Sequence, residues 1–298
     1  MRLARLRPAA SLVLLGAGAA ALGVWCKSAT HATVAPGADA EAAEAGDAEA
    51  LDSCALLFGS PSAQTGLGPD QCRPECLCGA DAFVPPTYDA TFIQSLIDDW
   101  QLATPYPPLT ASPYDGGPPP PDDPPATVCA VLPQLDAGTQ PTPYTLVTYS
   151  SGQAATAAGA KVTHFGHCGV CSSLANLAVY MRNDDLTAPV RQCGLESSAD
   201  GGDADVSCLM QLGFDLPCAQ AWAYDTANTR SVCLAPCLAN LTAPYNEPDG
   251  ALNPCIECDE DESGPVFKAV AGRTRRNSGI PNAICRPCSQ VQPLVHAY

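Results

Sequence analysis

Cysteine constrains this chain more than any other residue. Sixteen of its seventeen cysteines fall between Cys54 and Cys288, at positions 54, 72, 76, 78, 129, 168, 171, 193, 208, 218, 233, 237, 255, 258, 285 and 288. In an oxidising compartment an even count reads as up to eight bridges, with a connectivity that spacing does not fix. In a reducing cytosol the C-x-x-C spacings at 168/171, 255/258 and 285/288 would read instead as zinc ligands. What the cysteines do therefore depends on the compartment.

The N-terminus bears on that choice. Arg2, Arg5 and Arg7 precede an uncharged, mostly apolar run from Pro8 to Cys26, the n-region and h-region of an export signal. Residues 1–26 read as a signal peptide or signal anchor. The run is long enough to span a bilayer if uncleaved, while Thr30-His31-Ala32 offers a cleavage site. Bulky Trp25 argues against Cys26 as a lipoprotein acceptor. Both outcomes place the remainder outside or in a lumen. The expected localisation is the secretory pathway: secreted, or on the lumenal or extracellular face of a membrane touched only through the N-terminal segment.

Composition narrows the partners. The chain carries 31 acidic against 14 basic residues, a formal charge of −17. Nucleic acid is excluded as a partner, because phosphate binding needs a surplus of lysine and arginine. An acidic surplus suits an extracellular surface or cation binding. With 46% hydrophobic residues over 298 positions, there is material for a buried core.

Five segments follow. After residues 1–26, residues 27–52 are Ala-rich and acidic without an apolar face, a disordered stalk. Residues 53–104 form a small cysteine-containing lobe. Residues 105–125 hold ten prolines and read as a linker or long surface loop, since proline removes backbone donors. Residues 126–298 form the main cysteine-rich domain. Four cysteines precede the proline-rich stretch and twelve follow it, so each side can close its bridges internally.

Apolar residues at helical spacing predict helices over 88–101 (Phe92, Ile93, Leu96, Ile97, Trp100) and 172–182 (Leu174, Leu177, Ala178, Met181), the latter capped by Ser172. Shorter helices are expected at 205–212, at 217–226 with Pro217 in first position, and around 229–241. Strands are expected at 127–132, 144–149 and 266–271. The fold class is α+β, helix-leaning, disulfide-rich with much irregular loop.

Four segments are candidates for chemistry. His164-Phe165-Gly166-His167-Cys168-Gly169-Val170-Cys171 sets two histidines beside a C-G-V-C that enters a helix N-terminus, where amides and the macrodipole favour a thiolate. Cys168, Cys171, His164 and His167 are thus catalytic candidates, against the alternative that the two cysteines form a structural bridge or two separate ones. Asp259-Glu260-Asp261-Glu262-Ser263-Gly264 alternates oxygen ligands ahead of a turn glycine, so Asp259, Asp261 and Ser263 could hold calcium, the one cofactor suggested; Val270 stands where an EF-hand has its bidentate Glu. Arg273, Arg275 and Arg276 concentrate positive charge, an anion-docking patch or a set of internal ion pairs. Asn240-Leu241-Thr242 is a glycosylation sequon at Asn240.

Three resemblances attach to these residues. C-G-V-C resembles the motif of thioredoxin-like oxidoreductases, which implies Cys168 as the attacking thiol, although His167 replaces the usual Trp. C-G-V-C-S is similar to the nucleophile segment of papain-like proteases, which implies Cys171 as nucleophile and His296, 125 residues on, as base; Ser172 replaces the aromatic and Phe165 the oxyanion Gln. The strings HFGHCGVCSSLANLAVYM, NDDLTAPVRQCG, LGFDLPCAQAWAYDTANTR and AGRTRRNSGIPNAICRPC resemble those of an uncharacterised group of secreted cysteine-rich proteins from eukaryotic microbes, over 163–298. That group carries no activity to transfer. The functional expectation is a secreted or membrane-tethered stapled domain that binds an extracellular or lumenal protein or glycan, or serves structurally. The competing class is a cysteine-dependent enzyme, an oxidoreductase or a hydrolase.

Overall fold

The computed structural model describes residues 55–78, 82–117, 119–134, 138, 140–196 and 202–298. The export segment, the stalk and Cys54 lie outside the described residues. Within them the fold is α+β, with nine α-helices and two small mixed sheets.

The larger sheet has the order β3–β5–β4–β6, from β3 (Trp100–Leu102), β4 (Val128–Pro133), β5 (Thr142–Tyr149) and β6 (Lys161–Phe165). β4 runs antiparallel to both neighbours, and Cys129 stands opposite His164. Both expected strands in this region form, and β4 is buried through Val128–Val131 as a central strand should be. The smaller sheet, β2–β1–β7, joins β1 (Leu57–Phe58) and β2 (Cys72–Arg73) to β7 (Arg286–Pro287).

That pairing ties the two ends of the described chain together covalently. Cys72 bonds Cys285 and Cys76 bonds Cys288, so these two cysteines do not close bridges within 53–104. Five further bridges are Cys129–Cys168, Cys171–Cys218, Cys193–Cys208, Cys233–Cys258 and Cys237–Cys255. Cys78 is disulfide-bonded too, so every cysteine from Cys72 to Cys288 is paired.

Helices pack on both faces of the larger sheet, the main layer against Val131 and Tyr144 and a short helix against Val128 and Ala130. α1 (Ala90–Asp98) is capped by Asp89 and buries Ile93 and Leu96. α2 (Gly152–Ala157) precedes β6. α3 (Leu174–Arg182) is the core helix, with Leu174, Leu177, Ala178, Val179 and Tyr180 all buried. Its cap is Ser173 rather than Ser172, whose hydroxyl is engaged elsewhere. α4 (Thr187–Glu196), α5 (Asp203–Gln211), α6 (Leu216–Val232), α7 (Leu234–Ala239), α8 (Pro254–Glu262) and α9 (Gly264–Ala271) follow.

Residues 266–271 therefore form helix, not strand. Pro265 sits at the first turn and Phe267 and Ala271, the two buried residues, are four apart. That periodicity outweighs the β-branched pair Val266 and Val270. Gly272, at φ 72°, ends the helix where a side chain would strike the backbone of His167 and Gly169.

The proline-rich stretch packs as a belt across the molecule. Tyr106 and Leu109 lie against the core, the Leu109 amide and carbonyl bond the Gln220 side chain, and the Tyr114 hydroxyl donates to Asp225 at 2.8 Å.

Candidate functional site

The C-G-V-C segment is closed rather than reactive. Cys168 bonds Cys129 on β4, and Cys171 bonds Cys218 in the first turn of α6. Neither is a free thiol, and they do not bond each other, as a thioredoxin-like site requires. A papain-like role for Cys171 and His296 fails for the same reason. His296 is buried, bonds the Ser278 carbonyl and the Tyr298 hydroxyl at 2.9 Å each, and is pushed down to about 3 by burial and by Arg273.

His164 is fully buried with its Nδ1 on the Phe165 carbonyl at 2.9 Å and Nε2 on Ser172 Oγ at 2.7 Å. A carbonyl only accepts, so Nδ1 carries the proton and the Ser172 hydroxyl donates to Nε2. Ser172 Oγ also accepts from the Gly169 amide at 2.8 Å. This hydroxyl–imidazole pair has the hydrogen bonding of a base and nucleophile but no exposed surface, and burial holds His164 well below the usual imidazole range. His167 sits apart from it. Burial disfavours its charge, but bonds to the Ala269 carbonyl and the Asp123 carboxylate outweigh that and raise its pKa.

Arg273 and Arg275 are internal, and Arg276 is partly exposed but ion-paired. Arg273 has no exposed surface and donates to the carbonyls of Cys171 (3.2 Å), Thr163 (2.8 Å) and Ser172 (3.0 Å) and to the hydroxyls of Thr163 (2.6 Å) and Ser278 (3.3 Å). Arg275 donates to the carbonyls of Pro281 and Asn183, and its guanidinium lies over the Tyr180 ring. Arg276 and Arg286 converge on Glu260. The reading of 273, 275 and 276 as an anion-docking patch is thereby corrected to internal bonding.

The calcium loop is corrected as well. Asn253 caps α8, Pro254 starts it, and Asp259 to Glu262 are helical. Residues two apart on a helix point some 200° apart. Asp259 accordingly turns inward to the Thr229 hydroxyl, whereas Asp261 is exposed. Ser263 Oγ bonds Asn228 and Thr229. Among the described residues no group of three or more His, Cys, Asp or Glu side chains is placed to hold a metal. Asn240 is half-buried at the end of α7, with its amide on the Pro236 carbonyl at 2.8 Å.

The site that the helices do build is a cavity of about 900 Å³, walled by α3, α4, α6, α7, α8, α9 and the chain after Thr274. Its lining is predominantly apolar, and four leucines that line it, Leu195, Leu234, Leu238 and Leu241, are between 42% and 58% exposed. Aromatic rings form one wall: Trp222 lies 4.6 Å from Phe267 and 6.4 Å from Tyr180, centroid to centroid. The Asn282 side-chain oxygen is buried here without a hydrogen-bond partner, and the buried Tyr180 hydroxyl and Trp222 indole nitrogen are each other's polar neighbours, short of good hydrogen-bonding geometry. Burial pushes the Tyr180 hydroxyl up to about 12. Bridges Cys193–Cys208, Cys233–Cys258 and Cys237–Cys255 fasten α4 to α5, the end of α6 to α8, and α7 to α8.

Two carboxyls face this cavity from α6 and α8. Asp225 accepts from Tyr114 Oη and Asp259 from Thr229 Oγ1. Burial, then their mutual repulsion, raises Asp225 well above the usual carboxylate range; burial and Glu260 push Asp259 up to about 6. A raised carboxylate pKa means that the native state holds its proton after the unfolded state has released it, so stability falls as pH rises from near 4 through 6. His164 and His296, depressed, act oppositely: their contribution is lost as pH falls below 6.5. A comparison of Asp259→Asn with the wild type cancels the histidines. The variant should gain on the wild type by about 2 to 3 kcal/mol between pH 4 and pH 7, measured by urea unfolding across that range; a difference independent of pH would contradict it.

Cys218, Ala221, Trp222, Asp225 and Thr229 follow helical spacing on α6, so a polar residue in an otherwise small and aromatic stripe was the available signal for Asp225. Tyr180 gave none, because it reads as one more apolar face residue.

No curated protein and no solved structure matches this chain. Residues 202–294, which supply Trp222, Asp225, Asp259 and Phe267 to the cavity, are similar to a family of unknown function, DUF8771.

Proposed function

We propose that this is a secreted binding module that holds an apolar small molecule in the helical cavity. The observation that carries the reading is the cavity of about 900 Å³ with its aromatic wall of Tyr180, Trp222 and Phe267 and the buried Tyr180 hydroxyl and Trp222 indole nitrogen beside each other in it. A volume of this size suits a drug-sized ligand, and such sites combine apolar walls with a few convergent polar groups. Buried polar groups without good partners cost stability. Cross-linked walls support the reading, because rigid sites lose less entropy on binding. Export is supported by the paired cysteines, which persist in oxidising compartments.

Nile red, a neutral solvatochromic dye, tests it. One dye should bind per chain, saturably, and quench tryptophan emission in Trp100→Phe but not in Trp222→Phe. Tyr180→Phe should melt close to the wild type, because the buried hydroxyl it removes meets only the Trp222 indole nitrogen, and in poor geometry. Unsaturable binding, or quenching that survives Trp222→Phe, would overturn the assignment.

A further inference from the structure

We infer that the ligand carries a cationic nitrogen, seated on the Asp225–Asp259 pair with its apolar body against Trp222, Tyr180 and Phe267. This deepens the cavity reading and rests on it. The two carboxyls come from adjacent helices and lie close enough to repel each other. Among the described residues, their side-chain hydrogen bonds come from the neutral hydroxyls of Tyr114 and Thr229.

The protein's own cations around the cavity are engaged elsewhere. Arg276 and Arg286 share Glu260, and Lys268 pairs with Asp122 at 2.7 Å. Arg275 is spent on the Pro281 and Asn183 carbonyls, Arg230 on the Gly194 carbonyl, and Arg191 on the Leu241 carbonyl and the Tyr245 ring. Among the described residues no cation hydrogen-bonds either acid, and Arg286 and Arg191 reach Asp259 only as more distant charges.

An ammonium group answers each feature of that space. Its N–H groups form charge-assisted bonds to carboxylates, and its charge is attracted to aromatic faces. Tyr180, 1% exposed and lining the same cavity, sets its hydroxyl beside the Trp222 indole nitrogen and within electrostatic reach of Asp225. A divalent metal is poorly served by two carboxyls in an apolar chamber. An anionic ligand would meet the acids first, because Arg275, Arg276 and Arg286 are occupied.

Displacement of Nile red from the intact protein at pH 7.5 by three chain-matched probes decides the matter. Decylammonium should displace the dye at a concentration roughly tenfold below decanol, with decanoate weakest, in line with a partly desolvated charge pair. Asp225→Asn should bring the amine and decanol to equal displacing concentrations; Asp259→Asn serves if the first variant does not fold. Equal displacement by amine and alcohol would sink the cation while leaving the cavity standing. Preferential displacement by decanoate, or by calcium chloride alone, would also overturn it. If neither the dye nor any probe binds, the cavity reading itself has failed.

Discussion

Replacing Arg273 with alanine should lower the melting temperature by roughly 10–20 °C, corresponding to about 4 to 6 kcal/mol in a domain of this size. The side chain has no exposed surface and no carboxylate partner. Its five bonds go to three carbonyls and two hydroxyls drawn from β6, the C-G-V-C turn and the 3-10 turn at Arg276–Ser278. Truncation strands these acceptors in a dry interior and leaves a hole. Lysine keeps the charge but offers three donors from one point, so Arg273→Lys should recover only part of the loss. Differential scanning calorimetry of both variants checks this. A truncation that melts within a few degrees of the wild type would show that the guanidinium does not hold these three segments together.

Arg273 also marks where the sequence stops being legible. Its charge, in an acidic chain, left a docking patch and internal ion pairs both open, and it forms neither, because the acceptors that bury it are backbone carbonyls and hydroxyls and have no sequence signature. The helices were legible where periodicity is local. Phe92, Ile93 and Leu96 announced α1, Pro217 announced the start of α6, and the expected 205–212 helix appears as Asp203–Gln211, followed by Gly213 at φ 109°. The cap of α3 was misplaced by one residue because Ser172 has a tertiary partner, His164, from a strand eight residues away. Val266 and Val270 looked like strand residues until packing against α6 selected their helical face. The cavity was invisible for the same reason as the bridges: it gathers Tyr180, Trp222, Asp225 and Asp259 from α3, α6 and α8, and only the tertiary fold sets those distances.

The bridges that join the chain ends should be strongly non-additive. Removing Cys72–Cys285 alone, as Cys72→Ala with Cys285→Ala, leaves Cys76–Cys288 closing nearly the same loop, with sequence separations of 213 and 212. Only the short ring formed by 72–76 and 285–288 is then opened, worth roughly 2 to 3 kcal/mol in chain entropy. Removing the second bridge releases the long loop. The bridges 129–168, 171–218 and 233–258 shorten its path by about half, so its loss costs a further 4 to 5 kcal/mol, roughly. Denaturant unfolding of the two single-pair variants and the four-cysteine variant measures this, and two equal losses that simply sum would refute it. Function follows stability here. Phe58, which lines the cavity, sits on β1, which pairs with β7 directly beside these bridges. The four-cysteine variant should therefore weaken dye binding even at temperatures where its helices persist, while either single-pair variant retains it.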